Sequence, residues 1–192
     1  MTTTPMNGFI LAGGQSTRMG SDKALLDWHG RPLLSHMVAL LRHATNDVQV
    51  VGRDLLPDHL PSRGPLSGIA TALTISSTES NLILAVDLPL LTKDFLTYLR
   101  LAAEQSKCPL LACKIRSHFP LCLGISRTLL PEIQRRLSSG ELSVRAMIED
   151  SNAEIISESQ LRERGFESSI FRNLNTPEDY LESLIQGRTP NS

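Results

Sequence analysis

The sequence predicts an α/β fold in which a mostly parallel sheet carries helices on both faces. Two observations predict it. Segments with strand-like and helix-like apolar spacing alternate along the chain, which favours a parallel sheet built from crossover units. Residues 81–86, NLILAV, form a nearly continuous apolar run, which is typical of a strand that is covered on both faces.

The strand predictions rest on short apolar or β-branched runs bounded by turn residues. The first strand has a buried pattern, and the second contains Val48, Val50 and Val51. Strands are predicted at residues 7–12, 47–52, 81–86, 109–115, 121–125, 153–157 and 169–174.

The helix predictions rest on apolar residues at helical spacing and on end signals. Thr92 is expected to cap one helix, Gly140 to end another, and Thr176-Pro177 to begin the last, with Asp179 completing a capping pattern. Helices are predicted at residues 33–44, 68–76, 92–105, 129–137 and 144–149, and from Thr176 to about Gln186. We expect one domain over residues 1–192, with 188–192 as a frayed tail.

The first predicted strand leads into a glycine-rich segment, LAGGQSTRMGSDK, at residues 11–23. Adjacent glycines let a ligand approach the backbone amides closely, and successive amides form a concave anion site. Arg18 and Lys23 add a planar fork of donors and a mobile charge. The segment therefore predicts a polyphosphate site. The spacing fits neither a Walker A loop nor the dinucleotide fingerprint, and the alternative is an ordinary turn with surface charges.

Asp87 ends the NLILAV strand and lies on the sheet edge that the glycine-rich segment leaves. Mg²⁺ in proteins takes one or two carboxylates together with phosphate oxygens and waters, so Asp87 is the candidate metal ligand. The alternative is that Asp87 merely caps the following turn. A third feature, GPLSGI at residues 64–69, is interpreted as a turn against a base or ribose, or as simple loop-to-helix punctuation.

Bulk properties exclude several function classes. The net charge is −1 and aromatic residues make up 4% of the chain, which argues against a nucleic-acid or membrane-surface protein. No basic region precedes a long apolar run, so we expect no signal peptide, no membrane span and a cytoplasmic protein. Cys108, Cys113 and Cys122 are expected to be buried free thiols rather than zinc ligands.

Four segments resemble the molybdenum cofactor guanylyltransferase family, and together they run from the first strand to the last helix. LAGGQSTRMGSDK is similar to the family's N-terminal signature, and GPLSGI is similar to its GPLxGI turn. AVDLPLL at residues 85–91 resembles the acidic D-x-P motif, and NLNTPEDY at residues 173–180 resembles the C-terminal N-x-NTPED segment. The Gly13-Gly14 pair favours the guanylyl branch, since cytidylyl relatives usually have Ala-Gly there.

The resemblance implies a three-layer, Rossmann-like fold of the GT-A nucleotidyltransferase type with a mostly parallel mixed sheet. It implies that GTP and molybdenum-bound molybdopterin give the guanine dinucleotide cofactor and pyrophosphate, with Mg²⁺ as cofactor. Cofactor-biosynthesis or molybdoenzyme-delivery proteins are further partners that it allows.

The resemblance also implies roles for individual residues. Arg18, Lys23 and Asp87 are implied as catalytic, with Asp87 holding the metal, and Asn173 and Asn175 as bordering the pterin. The implied nucleotide-binding residues are Leu11, Ala12, Gly13, Gly14, Lys23, Asp58, Gly68 and Asp87. Two alternatives remain: a related nucleotidyltransferase that uses CTP or a sugar phosphate, and a non-catalytic nucleotide-binding delivery module.

Overall fold

The computed structural model of the chain describes residues 4–13, 22–52 and 64–187. Six strands in this part form one sheet in the order β2-β1-β3-β5-β4-β6. They are β1 (Met6–Leu11), β2 (Asp47–Val51), β3 (Ser80–Ala85), β4 (Leu110–Lys114), β5 (Cys122–Ser126) and β6 (Ala153–Ser157). The expected tail at 188–192 lies outside the described residues.

The helices lie on both faces of this sheet. They are α1 (Leu33–Leu41), α2 (Pro65–Ile75), α3 (Lys93–Gln105), α4 (Leu130–Ser139), α5 (Val144–Asp150), α6 (Glu158–Glu163) and α7 (Pro177–Gln186). Over the residues that the structure describes, short 3-10 helices lie at Lys23–Leu25, Arg127–Leu129 and Ser168–Phe171.

The sheet is mixed because β5 runs against its neighbours. β1 pairs in parallel with β2 and β3, and β4 pairs in parallel with β6, whereas β5 is antiparallel to both β3 and β4. β4 therefore points in the same direction as β1 and β3. The carboxyl ends of these strands share one edge, which is where α/β sheets bind ligands.

Alternating residues of the strands pack into two hydrophobic cores, one on each face of the sheet. On β1, Ile10 packs in the core under α1 and α3, while Phe9 and Leu11 face α2, α4 and α5. All three side chains are buried, as expected for a strand with helices above and below it. The predicted mostly parallel mixed sheet with helices on both faces is confirmed.

The predicted elements hold over most of the chain, with three corrections. The strand predicted at residues 169–174 is wrong, because this segment contains the 3-10 helix Ser168–Phe171. Helix α6, with a capping box between Ser157 and Gln160, was not predicted. Helix α2 begins at Pro65 rather than at Gly68, so most of the expected turn at residues 64–69 is the first part of a helix.

Candidate active site at the sheet edge

The ends of β1, β2 and β3 are tied together where the chain leaves the sheet. The Ala12 amide donates to the Val51 carbonyl at 2.9 Å, and the Val86 amide donates to the Leu11 carbonyl at 3.1 Å. Leu11 and Ala12 are buried, whereas Gly13 is exposed. The backbone that enters the glycine-rich segment therefore starts from a fixed position at the rim.

Gly52, which follows β2, packs directly against Gly13. Its φ is +88°, and a Cβ at this position would lie 2.5 Å from the Gly13 Cα and 2.6 Å from the Gly13 nitrogen. Both the left-handed φ and the close backbone approach require glycine. The sequence prediction did not assign this role to Gly52, although a glycine directly after a β-branched strand was the available signal.

Asp87 lies two residues beyond β3 and forms an ion pair with Lys23. The Lys23 Nζ is 3.1 Å from the Asp87 Oδ2, and each side chain is 17% exposed. The pair is thus largely shielded from solvent while still reachable from it. Lys23 begins a 3-10 helix that is capped by the Asp22 side chain, which accepts from the Ala24 amide at 3.1 Å.

The C-terminal asparagines complete the same cluster. Asn173 Nδ2 is 3.5 Å from the Asp87 Oδ1, and the Lys23 Nζ donates to the Asn175 Oδ1 at 3.3 Å. Between them, the Leu174 amide donates to the backbone carbonyl of Asp87 at 2.9 Å. Four of the predicted site residues, from three distant parts of the sequence, therefore meet at one point.

Helix α7 holds the asparagine segment in place. The Thr176 side chain accepts from the Asp179 amide at 3.2 Å. In return, Asp179 Oδ2 accepts from the amides of Thr176 at 3.0 Å and Asn175 at 3.1 Å. This capping box satisfies amides that the helix itself leaves without partners, as the sequence predicted.

His36 of α1 supports the segment that follows Asp87. Arg31 Nη2 donates to His36 Nδ1 at 2.7 Å, so His36 Nε2 carries the proton and donates to the Pro89 carbonyl at 3.0 Å. Burial lowers the pKa of the His36 imidazole, which favours this neutral form. The sequence prediction gave His36 no role, and nothing in its local pattern signals the contact.

Of the remaining predicted site residues, the structure describes Gly68. Gly68 is buried in α2, where a Cβ would lie 3.3 Å from a methyl carbon of Leu11. Gly14, Arg18 and Asp58 lie outside the described residues. Within the described part of the chain, no group of three or more His, Cys, Asp or Glu side chains is arranged to hold a metal ion.

The cysteines carry free thiols. Cys113 and Cys122 are buried and Cys108 is half-buried, so the expectation of full burial is wrong for Cys108. The hydrogen bond with Cys113, together with burial, raises the pKa of the Cys122 thiol. None of the described helices combines the length and apolarity needed to cross a membrane.

Comparisons with known proteins agree with this fold and with the motifs. Residues 8–155 match the family described as the MobA-like NTP transferase domain. A molybdenum cofactor guanylyltransferase from Xanthomonas euvesicatoria pv. vesicatoria is 35% identical over 182 residues, covering 92% of this chain and 93% of that protein.

Solved structures share the fold at lower sequence identity. Molybdopterin-guanine dinucleotide biosynthesis protein A from Archaeoglobus fulgidus superposes with a TM-score of 0.79 at 23% identity, covering 94% of this chain and 98% of that one. A Mycobacterium tuberculosis protein, solved in complex with manganese, gives a TM-score of 0.68 at 14% identity, with coverages of 95% and 99%. The predicted family resemblance is confirmed, and the chain belongs to the family of MobA-like NTP transferases.

Proposed function

We propose that this chain transfers GMP from GTP to molybdenum-bound molybdopterin, giving the guanine dinucleotide cofactor and pyrophosphate. One observation carries the proposal: Lys23, Asp87, Asn173 and Asn175 meet at the carboxyl edge of β1 and β3. The 35% identical guanylyltransferase from Xanthomonas supports GTP and molybdopterin as the substrates.

The reaction is an in-line displacement at the α-phosphorus of GTP. A phosphate oxygen of molybdopterin forms the new bond to this phosphorus, and the bond to the bridging oxygen of pyrophosphate breaks. The second pKa of a phosphate monoester is about 6, so the attacking oxygen is already ionised near neutral pH. A general base is therefore unnecessary, and the protein's main tasks are positioning and charge neutralisation.

Lys23 changes partner during this cycle. In the free protein its ammonium group pairs with Asp87 and Asn175. When a triphosphate enters, the same mobile ammonium reaches the phosphate oxygens, where it stabilises charge growing on the leaving pyrophosphate. Arg18 is proposed to assist it, since it lies on the same glycine-rich segment.

Asp87 is the proposed ligand of a divalent cation, with Mg²⁺ as the specific candidate. The two carboxylate oxygens face Lys23 and Asn173, so both lie in the site rather than in the core. A single carboxylate fits Mg²⁺ because phosphate oxygens and waters supply its other ligands. A cation held by the Asp87 carboxylate would supply positive charge that neutralises the phosphate oxygens of the substrates.

Leu11, Ala12, Gly13 and Gly14 are proposed to lie against the nucleotide, with Asp58 and Gly68 as further contacts. Gly68 packs beneath Leu11, so its part is to set the position of that residue. Asn173 and Asn175 border the pterin side. The free thiols support a reducing compartment, and we place the reaction in the cytoplasm.

A substrate panel tests this function. We expect the purified protein, with Mg²⁺ and molybdenum-loaded molybdopterin, to release pyrophosphate and form the dinucleotide from GTP, detected by mass, in preference to CTP or ATP. Asp87→Asn is expected to abolish most of this turnover, whereas Asp94→Asn, at an exposed acid on α3, is expected to preserve it.

Other results would select an alternative. Preference for CTP or for a sugar-phosphate acceptor would assign a related nucleotidyltransferase. GTP binding without any product, in the presence of metal and acceptor, would contradict the proposal and favour a delivery module.

A further inference from the structure

The turn between β4 and β5 carries an arginine where the backbone favours glycine. Ile115 and His118 pair across this turn, with amide-to-carbonyl distances of 3.0 and 3.1 Å, and Arg116 and Ser117 form its tip. Arg116 has a φ of +53°, in the left-handed region that costs a side-chain-bearing residue stability. Strain of this kind concentrates at functional sites, where a side chain compensates for its cost.

The turn stands on the same edge of the sheet as the candidate active site. β3 pairs with β5 so that Leu84 lies opposite Cys122, and the Ala85 amide donates to the Leu121 carbonyl at 2.8 Å. Beyond this bond, the chain continues from β3 to Asp87, and the residues that precede β5 lead back to the turn. Asp87 thus lies between the end of β1, at Leu11–Gly13, and the β4–β5 turn.

Two cations lie at this turn, Lys114 at the end of β4 and Arg116 at the tip, and we call these two residues the turn patch. Both are exposed, and the Lys114 Nζ lies 5.6 Å from the centre of the Phe119 ring. Among the described residues, neither side chain forms an ion pair. The neighbouring acid, Glu158, accepts from the backbone amide of Arg116 at 3.1 Å and pairs with Arg162 at 3.5 Å.

The turn is also braced from α5. Arg145 Nη1 donates to the Ser117 carbonyl at 3.3 Å, while its Nε pairs with Glu149 at 3.0 Å. The turn patch is therefore presented on a backbone that is held from two sides. A braced turn preserves the direction of its cations, which lowers the entropy cost of binding an anion.

We propose that the turn patch binds an oxyanion group of the second substrate, the acceptor. This inference rests on the proposed function, in which two anionic substrates meet at Asp87. Because the glycine-rich segment and Lys23 serve one anion, the other needs its own cations on the far side of Asp87. The acceptor carries oxyanions at two places, its phosphate and its molybdenum oxo groups, and both match exposed Lys and Arg side chains.

Equilibrium binding of molybdopterin without nucleotide tests the inference. We expect Arg116→Gly to weaken binding by on the order of 5- to 10-fold, the size of one charge-assisted contact in partial contact with solvent. Arg116→Lys keeps the charge and is expected to retain most of the affinity. Arg127→Gln, at an exposed arginine beyond the opposite end of β5, serves as the matched control and is expected to bind like the wild type.

The arms of the experiment separate the two oxyanions. Loss of affinity for both molybdenum-loaded and metal-free molybdopterin assigns the phosphate, and loss for the loaded form alone assigns the molybdenum oxo groups. Thermal unfolding checks the fold: Arg116→Gly is expected to melt at the same temperature as the wild type or higher, since glycine relieves the left-handed φ.

Unchanged affinity in both Arg116→Gly and Lys114→Gln would overturn the inference. If the wild type still forms the dinucleotide in that case, the proposed function survives and only the role of the turn patch is lost. If the wild type neither binds nor converts molybdopterin, the proposed function fails, and the inference fails with it.

Discussion

Lys23 pairs with Asp87 in the structure and is proposed to turn to the phosphates when a triphosphate binds. Lys23→Gln keeps hydrogen-bonding capacity at Asn175 but removes the positive charge that faces Asp87 and the incoming phosphates. We expect kcat/KM to fall by on the order of 10²-fold, because charge stabilisation at a developing anion is lost. Steady-state pyrophosphate release measures the effect. Lys93→Gln, at an exposed lysine on α3, is the control, and an equal loss in both variants would contradict the role of Lys23.

Gly52 and Gly30 form a matched pair for testing the close approach at the rim. Both have a left-handed φ, +88° and +85°, but a Cβ at Gly52 meets Gly13, whereas one at Gly30 meets nothing within 4 Å. Gly30→Ala should lower the free energy of unfolding only by the cost of a left-handed φ, about 1–2 kcal/mol. Gly52→Ala should cost roughly 1–3 kcal/mol more and raise the KM for GTP, because Gly13 must shift. Chemical denaturation and kinetics measure the two effects, and equal costs would contradict this contact.

At the scale of elements, the sequence patterns were sufficient wherever burial was continuous or the caps were strong. The run at 81–86 is β3 to within a residue, and Thr176 and Asp179 form the predicted capping box of α7. Helix α6 was not predicted because its six residues bury just one side chain, that of Leu161, so its apolar spacing carries little signal. A strand was wrongly predicted at residues 169–174 because Phe171, in a 3-10 helix, and Leu174, in the irregular segment after it, are both buried.

The site residues also differ in whether a local sequence motif identifies them. Asp87 and Lys23 could be predicted because each belongs to a local motif that ends or follows a strand. The contact of His36 with Pro89 joins residues that are distant in sequence, so no local pattern encodes it. The glycine after β2 signals an unusual backbone at Gly52 but does not identify Gly13 as its partner. The antiparallel direction of β5 likewise depends on which neighbours it joins, which its apolar run does not specify.

The caps of α7 and of the 3-10 helix Arg127–Leu129 offer a comparison between a cap that adjoins the site and one at the opposite end of the sheet. Thr176→Ala and Ser126→Ala each remove a side-chain cap, and each is expected to cost about 1 kcal/mol of stability. Only Thr176→Ala should also lower kcat/KM, because that cap adjoins Asn175. Thermal melts and kinetics on both variants check this, and equal activities would separate the cap from the site.

Arg136 of α4 pairs with Asp150 of α5 at 3.1 Å and with Glu132 of its own helix at 2.8 Å, so a charged network joins the two helices. Hydrogen bonds from Arg135, at 2.8 Å, and from Arg136 lower the pKa of Glu132 from 4.5 to about 2. A depressed carboxyl pKa contributes stability that is present above about pH 4.5 and is lost as the pH falls towards 2. We expect the free energy of unfolding of Glu132→Gln to fall less steeply than that of the wild type between pH 4.5 and about pH 2. Exposed Glu163→Gln is the control, and an unchanged slope in Glu132→Gln would exclude the network as its source.

At the scale of the whole molecule, the site joins Lys23 and Asp87 to the segment before α7. The family match ends at residue 155, yet Asn173 and Asn175 reach Asp87 and Lys23 from beyond it. Binding at this junction should therefore order both regions at once. A ligand that binds only the folded state at 100 times its Kd adds about 2.7 kcal/mol of stability, which for a chain of this length raises Tm by roughly 5–10 °C.

Hydrogen exchange resolves where that stabilisation falls. With GTP and Mg²⁺, we expect amide exchange to slow together in the segment after β3, residues 86–91, and in residues 172–176 before α7, because the Leu174 amide joins the two segments at Asp87, beside the proposed cation. GTP without a divalent cation is the control and should protect the segment after β3 less. Protection confined to the end of β1 would mean that the nucleotide engages the glycine-rich segment without Asp87, which would contradict the coupling of the two segments through this site.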